Sequence, residues 1–321
     1  EEMPLRVLVT GGTGLLGRAV LKTFHEDAKW EATGTAYSRY KADAVPKLVK
    51  LDLSDAAEVE RVVREVDPQV IVHCAAERRP DVCEKDPEFA KRVNVDSVAL
   101  LARLADEIPD TFLIYISTDY IFDGKAPPYK PNAPANPLNE YGRSKAAGEA
   151  ALWQSGHNGG VLRVPVLYGL SFDAKESAIT ILLAEKGLQL GVPKEERKEV
   201  KVDDLAIRFP TYVEDVAAAI KALANRRMRH CSLSGTWHFS GDEQMTKYQL
   251  VQRVAGLLGE DASHVIPDKE PSAAGASRPH NSQLDTSALK LMGVLKLTPF
   301  DEAIQTVIAH LLQNSSGLGS A

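Results

Sequence analysis

Short apolar runs alternate with amphipathic segments through the first half of the chain. Six runs have the length and content of strands, at 5–9, 30–37, 48–51, 70–76, 112–117 and 161–168. Between them, apolar residues recur at helical spacing, as in Leu16, Ala19, Val20 and Phe24 after the first run. This alternation predicts an α/β fold with a doubly wound parallel sheet, whose ligands bind at the carboxyl ends of the strands.

The regular alternation of strand-like and helical segments ends after the sixth run. Helices are expected at 177–186, 213–224, 246–258 and 301–312, and short strands at 205–209 and 236–240. This pattern predicts a smaller mixed α/β lobe that Trp237, His238 and Phe239 help to pack. We expect a discontinuous boundary: residues 1–168 and about 209–235 form the parallel-sheet domain, 169–208 and 236–313 the second lobe, and 314–321 a flexible tail.

Composition narrows the functional classes. The chain of 321 residues carries 38 basic and 44 acidic residues, a net charge of −6, without a basic patch of the kind that follows nucleic acid. It has no apolar run near the ~20 residues that span a bilayer, and no signal-peptide pattern at its start. Three cysteines at no metal-like spacing predict free thiols and no metal site. We therefore expect a cytoplasmic protein, with the charged run at 194–201 as a solvated loop or helix face.

A glycine-rich turn follows the first strand. Gly11, Gly14 and Gly17 have the spacing G-x-x-G-x-x-G and lead directly into the first helix. Glycines allow close backbone approach, and the free amides of a helix N-terminus favour an anion. The order strand, glycine turn, helix predicts a phosphate site, although a plain turn would use the same residues.

The second strand predicts which dinucleotide would bind. It ends without the acidic residue that hydrogen-bonds a ribose 2′-hydroxyl, and Arg39 stands there, with Arg18 after the glycine turn. Two cations favour a 2′-phosphate, hence NADP(H) over NAD(H); alternatively, Arg39 is an exposed loop residue. Asp52 and Leu53, after the third strand, would lie beside the adenine, or Asp52 caps a helix.

Tyr141 and Lys145 form the second chemical motif. Residues four apart share one helix face, so the phenol and the ammonium would enter one cleft. We expect the cation to lower the pKa of Tyr141, which makes a tyrosine usable as an acid or base. Ser117 and Thr118, one loop earlier, could hydrogen-bond a substrate carbonyl. Alone, the Tyr–Lys pair would be explained as a surface pair; the order of the motifs is what favours chemistry.

With these motifs the chain resembles the extended short-chain dehydrogenases/reductases of the dTDP-4-dehydrorhamnose reductase branch. The shared strings lie at 11–17, 74–76, 93–95, 117–124, 141–145 and 278–285. The resemblance implies a Rossmann fold that binds NADP(H), with Thr118 (or Ser117), Tyr141 and Lys145 as the catalytic set. It also implies that Asn94 orders a water for proton relay. The implied cofactor contacts are Gly11, Thr13, Gly14, Leu15, Leu16, Gly17, Arg18, Arg39, Asp52, Leu53, Cys74, Ala75, Ala76, Tyr141 and Lys145.

Strings outside this shared core resemble the regulatory β-subunit family of methionine adenosyltransferase. They lie at 75–82, 208–211 and 241–248. This resemblance implies a partner, the catalytic subunit of the synthetase, and a role in S-adenosylmethionine synthesis. That family docks through an aromatic and basic C-terminal tail, whereas this sequence has no aromatic residue after Phe300. The alternative function is an active NADPH-dependent reductase of a nucleotide-linked 4-keto-6-deoxysugar.

Weaker candidates remain. The substrate contacts expected are Glu77, Arg78, Asp119, Tyr120, Arg208 and Arg278. Glu77 and Arg78 could instead belong to a solvated loop, and Arg208 and Arg278 could form structural salt bridges rather than clamp a diphosphate. His73, on a buried strand, is expected to be a satisfied core histidine.

Overall fold

The computed structural model describes residues 3–39, 46–156, 158–270 and 275–316. Its strands are β1 (Leu5–Thr10), β2 (Trp30–Ala36), β3 (Lys47–Lys50), β4 (Val70–His73), β5 (Phe112–Thr118), β6 (Gly159–Val164), β7 (Leu167–Tyr168), β8 (Val200–Asp203), β9 (Thr211–Tyr212), β10 (Gly235–His238) and β11 (Val265–Asp268). Its α-helices are α1 (Leu15–His25), α2 (Ala56–Val66), α3 (Pro80–Lys85), α4 (Pro87–Lys91), α5 (Ser97–Glu107), α6 (Glu140–Ser155), α7 (Val213–Arg229), α8 (Lys247–Leu258), α9 (Ser287–Leu291) and α10 (Phe300–Ser316). None of the helices in these ranges is both long and apolar enough to cross a membrane.

The predicted doubly wound parallel sheet is confirmed. Seven strands pair in the order β10-β6-β5-β4-β1-β2-β3, and every pairing is parallel. Val7 of β1 lies opposite Ala32 of β2 and Val70 of β4. Because the chain runs outward from β1 in one direction and from β4 in the other, a crevice opens where these two strands end, the usual ligand position in such sheets.

The central strands β1, β4 and β5 bury both faces, as their apolar content predicts. Val7, Val9 and Val72 pack on one face with α1, α7 and α9. Leu8 and Ile71, their neighbours in sequence, pack on the other face with α2, α5 and α6. The period of two thus divides the core into two layers around the sheet.

A second core lies outside the sheet. Side chains of α8 and α10 pack there on the two-stranded parallel sheet β8–β11, together with Tyr168 and the helical residues around Leu182. Helix α8 begins with a reciprocal capping box between Thr246 and Gln249, and Gly259 ends it with a left-handed φ of 66°.

Two predicted strands of the second half need correction. Residues 205–209 form isolated bridges only, and the strand lies at Val200–Asp203, at the end of the charged run that was expected to be a solvated loop or helix face. The strand predicted at 236–240 exists as β10 but pairs with β6 in the main sheet. Trp237 and Phe239 accordingly pack in the core of that sheet, so their expected place in the second lobe is wrong. The two-lobe division itself stays a prediction.

Element ends differ as well. The sixth strand stops at Val164, and Leu167–Tyr168 pair separately with β9. Helix α10 continues to Ser316, three residues into the predicted tail at 314–321, and residues 317–321 lie outside the described residues, so the tail stays a prediction.

Candidate functional site

The glycine turn joins β1 to α1 at the crevice. Gly11 adopts a φ of 67°, and its carbonyl oxygen accepts a hydrogen bond of 2.8 Å from the Gly14 amide. A Cβ on Gly17 would lie 2.1 Å from the same oxygen, so no other residue fits there without moving the backbone. Gly11 and Gly17 therefore allow the backbone of the turn to pack closely against the start of α1.

This turn leaves the start of α1 open to a ligand. The N-cap is Gly14, which has no side chain to cap the helix, and the first helical turn carries no acidic residue. The amides of Leu15, Leu16 and Gly17 therefore have neither intrahelical acceptors nor a capping side chain. Their chemistry fits the pyrophosphate of a dinucleotide.

The neighbouring strand β4 closes one side of the crevice. Thr10 Oγ1 lies 2.7 Å from His73 Nδ1 and accepts a hydrogen bond of 3.3 Å from the Ala75 amide. His73 Nε2 lies 3.3 Å from Ser97 Oγ. Burial, and then the positive charge of Lys145, lower the pKa of His73 to about 3. His73 is thus the satisfied core histidine that was expected.

The two arginines expected at a 2′-phosphate converge on one carboxylate. Arg18 Nη2 donates to Glu176 Oε2 at 2.5 Å, and Arg39 forms an ion pair with Glu176 Oε1. Burial raises the pKa of Glu176, but the hydrogen bond and charge of Arg18, with the charge of Arg39, lower it overall. The structure therefore brings the two predicted cations together, and an acidic residue lies between them.

Asp52 and Leu53 lie at the carboxyl end of β3. Asp52 Oδ1 accepts hydrogen bonds from the amide and the hydroxyl of Ser54, at 2.9 and 2.7 Å. The helix cap is Asp55, whose side chain accepts from the Glu58 amide, so the capping role suggested for Asp52 is wrong. Leu53 packs against the core of the α2 face.

Tyr141 stands in the first turn of α6. Asn139 caps this helix, since its Oδ1 accepts from the Gly142 amide at 2.8 Å. Burial raises the pKa of Tyr141 above its usual value, although the nearby Thr118 hydroxyl acts in the opposite direction. The expected lowering of this pKa is therefore wrong, and the position of Lys145 explains why.

Lys145 faces the sheet rather than the phenol. Its Nζ donates to the Ile116 carbonyl at 2.7 Å and lies 4.1 Å from the centre of the Tyr115 ring. Burial lowers the pKa of Lys145 to about 7, against the weaker opposing effect of Glu149. Near neutral pH the amine is therefore only partly protonated, and it is held by a carbonyl and an aromatic face.

The two hydroxyls that end β5 have different partners. Ser117 Oγ donates to Glu149 Oε1 at 2.5 Å, and the same carboxylate is bound by Arg163 at 2.9 and 2.7 Å. Thr118 Oγ1 donates to Asp119 Oδ1 at 3.2 Å and accepts from the Tyr120 amide at 3.2 Å, and its hydroxyl is close enough to Tyr141 to affect the pKa of the phenol. Ser117 is thus engaged beneath the site, and Thr118 is the hydroxyl beside the phenol. Glu149 was missed in the sequence, although it stands four residues after Lys145.

Asn94 lies in a π-helical turn, Arg92–Asp96, between α4 and α5. Its amide accepts from the Glu77 N–H at 2.9 Å and donates to the Glu77 carbonyl and to Ser144 Oγ, both at 3.0 Å. These bonds fix the segment after β4 against α6. Its predicted role in ordering a water stays a prediction.

The expected substrate contacts separate into two groups. Glu77 binds Arg79 through both carboxylate oxygens, at 2.8 and 2.6 Å, and Arg278 pairs with Asp81 at 2.9 Å, so these charges have structural partners. Arg78 donates to the Lys175 carbonyl at 3.0 Å. The predicted diphosphate clamp of Arg208 and Arg278 stays a prediction.

Asp119, Tyr120 and Arg208 meet beside Tyr141. The rings of Tyr120 and Tyr141 lie 6.0 Å apart, and the Arg208 guanidinium lies 6.0 Å from the Tyr120 ring. Burial raises the pKa of Asp119 to about 6, despite hydrogen bonds from Ser282 and Thr118. Arg208 donates through Nη1 to the carbonyls of Ile207 and Pro279, at 2.7 and 3.0 Å.

The other terminal nitrogen of Arg208 is available. Its Nη2 is buried and has no hydrogen-bond partner in the part of the chain that the structure describes. Lys247, at the start of α8, has its pKa lowered by burial and then by the charge of Arg208. This pair of cations, one of them missed in the sequence, would suit an anion. Within the described ranges, no cluster of three or more His, Cys, Asp or Glu side chains is placed to hold a metal ion.

Comparison with known proteins agrees with this geometry. The family model of the RmlD substrate binding domain matches residues 5–313. Methionine adenosyltransferase 2 subunit beta of Danio rerio is 45% identical over 302 residues, 94% of this chain and 89% of that protein. The Bos taurus subunit is 44% identical over 295 residues, 92% and 84% of the two chains. The crystal structure of dTDP-4-dehydrorhamnose reductase from Bacillus anthracis str. Ames in complex with NADP superposes with a TM-score of 0.79 at 27% identity, over 96% of this chain and 99% of that one.

Proposed function

We propose, since this chain belongs to the RmlD substrate binding domain family, that it is an NADP(H)-binding regulatory subunit of methionine adenosyltransferase. The main support for the proposal is the sequence identity of 44% and 45% between this chain and methionine adenosyltransferase 2 subunit beta, along almost the whole chain. The matching strings outside the glycine turn and the Tyr–Lys pair add support, because a shared cofactor core alone would not require them. The proposed location is the cytoplasm, where the synthetase partner would be met.

The residues of the crevice fit a dinucleotide. The amides that open α1 would hold its pyrophosphate, Asp52 and Leu53 would lie beside its adenine, and the 74–76 segment would line its path along β4. Tyr141 and Lys145 would hold the nicotinamide ribose. Arg18 and Arg39 would meet the 2′-phosphate, which makes NADP(H) the proposed cofactor. In the regulatory protein this ligand would be held without being consumed, because a fold and its pocket can persist without turnover.

The test is association with the catalytic subunit. The two proteins are mixed at equal concentration with NADPH and separated by gel filtration, and the run is repeated over a series of concentrations. We expect co-elution at a fixed stoichiometry and a changed rate of S-adenosylmethionine synthesis. Separate elution, with an unchanged rate, would overturn the proposal. Bovine serum albumin in place of this protein controls for nonspecific stabilisation of the synthetase.

A second function is favoured by one further observation. Thr118 lies beside Tyr141, Lys145 lies one turn along the same helix, and the Arg208 and Lys247 cations are nearby. This set suits an NADPH-dependent reductase of a nucleotide-linked 4-keto-6-deoxysugar. The cofactor would supply the hydride; Thr118 would hold the carbonyl oxygen, Tyr141 would protonate it, and the cations would bind the diphosphate. The raised pKa of Tyr141 keeps the phenol protonated, as an acid requires.

Loss of NADPH absorbance on adding dTDP-4-keto-6-deoxyglucose tests this second function. Tyr141→Phe should abolish the loss, and Tyr248→Phe, a partly buried tyrosine of α8, should leave it unchanged. Bound NADPH that stays reduced in the presence of the sugar would reject the reductase. Equal turnover in Tyr141→Phe would reject the proposed acid.

A further inference from the structure

Glu176 occupies an unusual position between the two predicted phosphate ligands. It lies 158 residues from Arg18 and 137 from Arg39, yet its side chain is only 9% exposed and contacts both guanidinium groups. Arg18 binds it at two points, with Nη2 to Oε2 at 2.5 Å and Nη1 to Oε1 at 3.1 Å. A carboxylate held by a fork of this kind satisfies the same donors that would bind a phosphate.

The backbone around Glu176 is tied to the same arginines. Arg18 Nη2 also donates to the Leu170 carbonyl at 3.1 Å, and its guanidinium lies 4.9 Å from the centre of the Phe172 ring. Arg78, after β4, donates to the Lys175 carbonyl at 3.0 Å. Residues 170–176, here called the anchor segment, are therefore held to the edge of the crevice by arginines from both sides.

Charge balance makes the carboxylate and a phosphate alternatives. Two guanidinium groups against one carboxylate leave a local charge of +1. A phosphomonoester carries a charge of about −1.5 to −2 near neutral pH. If both anions stayed, they would exceed the two cations and would compete for the same N–H donors at close range, where like charges repel strongly.

We propose that Glu176 is an internal competitor for the 2′-phosphate of the dinucleotide. It holds Arg18 and Arg39 when no phosphate is bound, and the 2′-phosphate displaces it and so releases the anchor segment. This inference rests on the proposed dinucleotide binding. It makes Glu176 a residue that reduces the preference for NADP(H) over NAD(H), because only the phosphorylated form must displace it.

The anchor segment also reaches the C-terminal helix. The Phe172 ring is 66% exposed to solvent and lies 5.8 Å from the His310 ring of α10, in an edge-on contact. Displacement of Glu176 would change this contact, while an NAD(H) molecule would leave it in place. Binding of the 2′-phosphate would in this way change a contact of α10, which lies outside the crevice.

The first test compares two dinucleotides on Glu176→Gln. Dissociation constants for NADPH and NADH are measured by nicotinamide fluorescence at one fixed ionic strength. Because charge-assisted bonds to the competitor are removed, we expect NADPH to bind about tenfold tighter or more, and NADH to change less than about twofold. Glu185→Gln, an exposed residue nine positions later with the same change of charge, should alter neither.

Weaker NADPH binding by Glu176→Gln would overturn the inference, since Glu176 would then orient the arginines for the phosphate. Unchanged NADPH binding would overturn it as well, since Glu176 would then not compete with the phosphate. Failure of the wild-type protein to bind either dinucleotide would overturn the proposed cofactor role and this inference with it. Binding of both with an unaltered ratio in the variant would overturn this inference alone.

A second measurement needs no variant. Amide hydrogen exchange of peptides that cover 170–176 is followed in the wild-type protein without ligand, with NADH and with NADPH. We expect NADPH, and not NADH, to accelerate exchange in this segment. Equal protection by both dinucleotides would show that the anchor segment stays in place and would contradict the release.

Discussion

Substitution of Gly17 by alanine perturbs the glycine turn at its tightest point. The added Cβ would lie 2.1 Å from the Gly11 carbonyl oxygen and 2.8 Å from its carbon, both backbone atoms that cannot rotate away. The same oxygen accepts the Gly14 amide, so relief of the clash must move the turn that opens α1. The change therefore acts on the proposed pyrophosphate site itself.

The magnitude follows from the cost of overpacking. Inserting one methyl group into a tightly packed site costs about 1–3 kcal/mol. Part of that cost should appear as lower stability. Displaced helix amides would also weaken binding by about tenfold for each 1.4 kcal/mol lost at the site. NADPH and NADH should suffer alike, because both have the pyrophosphate.

Fluorescence titration with both dinucleotides, alongside urea unfolding, measures the two effects. The matched control is Gly256→Ala in α8, where a Cβ would meet no atom within 4 Å. A helix-interior glycine is less favourable than alanine by roughly 0.5–1 kcal/mol, so the control should be slightly more stable and bind normally. Wild-type affinity in a folded Gly17→Ala protein would refute the assignment of the pyrophosphate to this turn.

Two further predictions concern buried charges. Glu149→Leu leaves the guanidinium of Arg163 buried without its carboxylate partner, so the free energy of unfolding in urea should fall by about 3–5 kcal/mol. The control Glu65→Ala, which removes one partner of an exposed pair, should lower the free energy of unfolding by less than about 1 kcal/mol. Similar losses in both variants would contradict the buried pairing. Lys145 has a folded-state pKa of about 7, whereas its usual pKa is 10.5. Between these two pH values the unfolded chain binds more protons than the folded protein. The destabilisation caused by burial of Lys145 therefore becomes smaller as the pH rises from about 7 to 10.5. The free energy of unfolding of the wild type minus that of Lys145→Met should therefore increase with pH there, by at most about 1.4 kcal/mol per unit, and a flat difference would show that the ammonium is not buried as described.

Much of the fold could be predicted because its signals are local. Apolar runs, helical spacing and a glycine turn are each contained within about twenty residues, and they specify the parallel sheet and the position of the crevice. The strand Val200–Asp203 was hidden because charged residues surround it, and only alternate residues such as Val202 face the core. The sequence of β10 predicts a strand but not its neighbour, since pairing with β6 depends on contacts distant in the chain.

The candidate site likewise contains residues that the sequence could predict and contacts that it could not. Tyr141 and Lys145 are four residues apart and could be recognised, but the direction of the ammonium depends on the Ile116 carbonyl and the Tyr115 ring, which come from another strand. The prediction that Lys145 lowers the pKa of Tyr141 was wrong for that reason. Glu176 carries no motif at all, and only the tertiary structure brings it to the arginines.

A regulatory subunit must change the rate of S-adenosylmethionine synthesis, and this rate can be measured on the catalytic subunit. A fixed amount of methionine adenosyltransferase catalytic subunit is titrated with this protein in the presence of NADPH. We expect a saturable change in kcat or KM that is complete at a fixed subunit ratio, with the NADPH still reduced at the end. A rate that is unchanged at every ratio, with no complex formed, would contradict it.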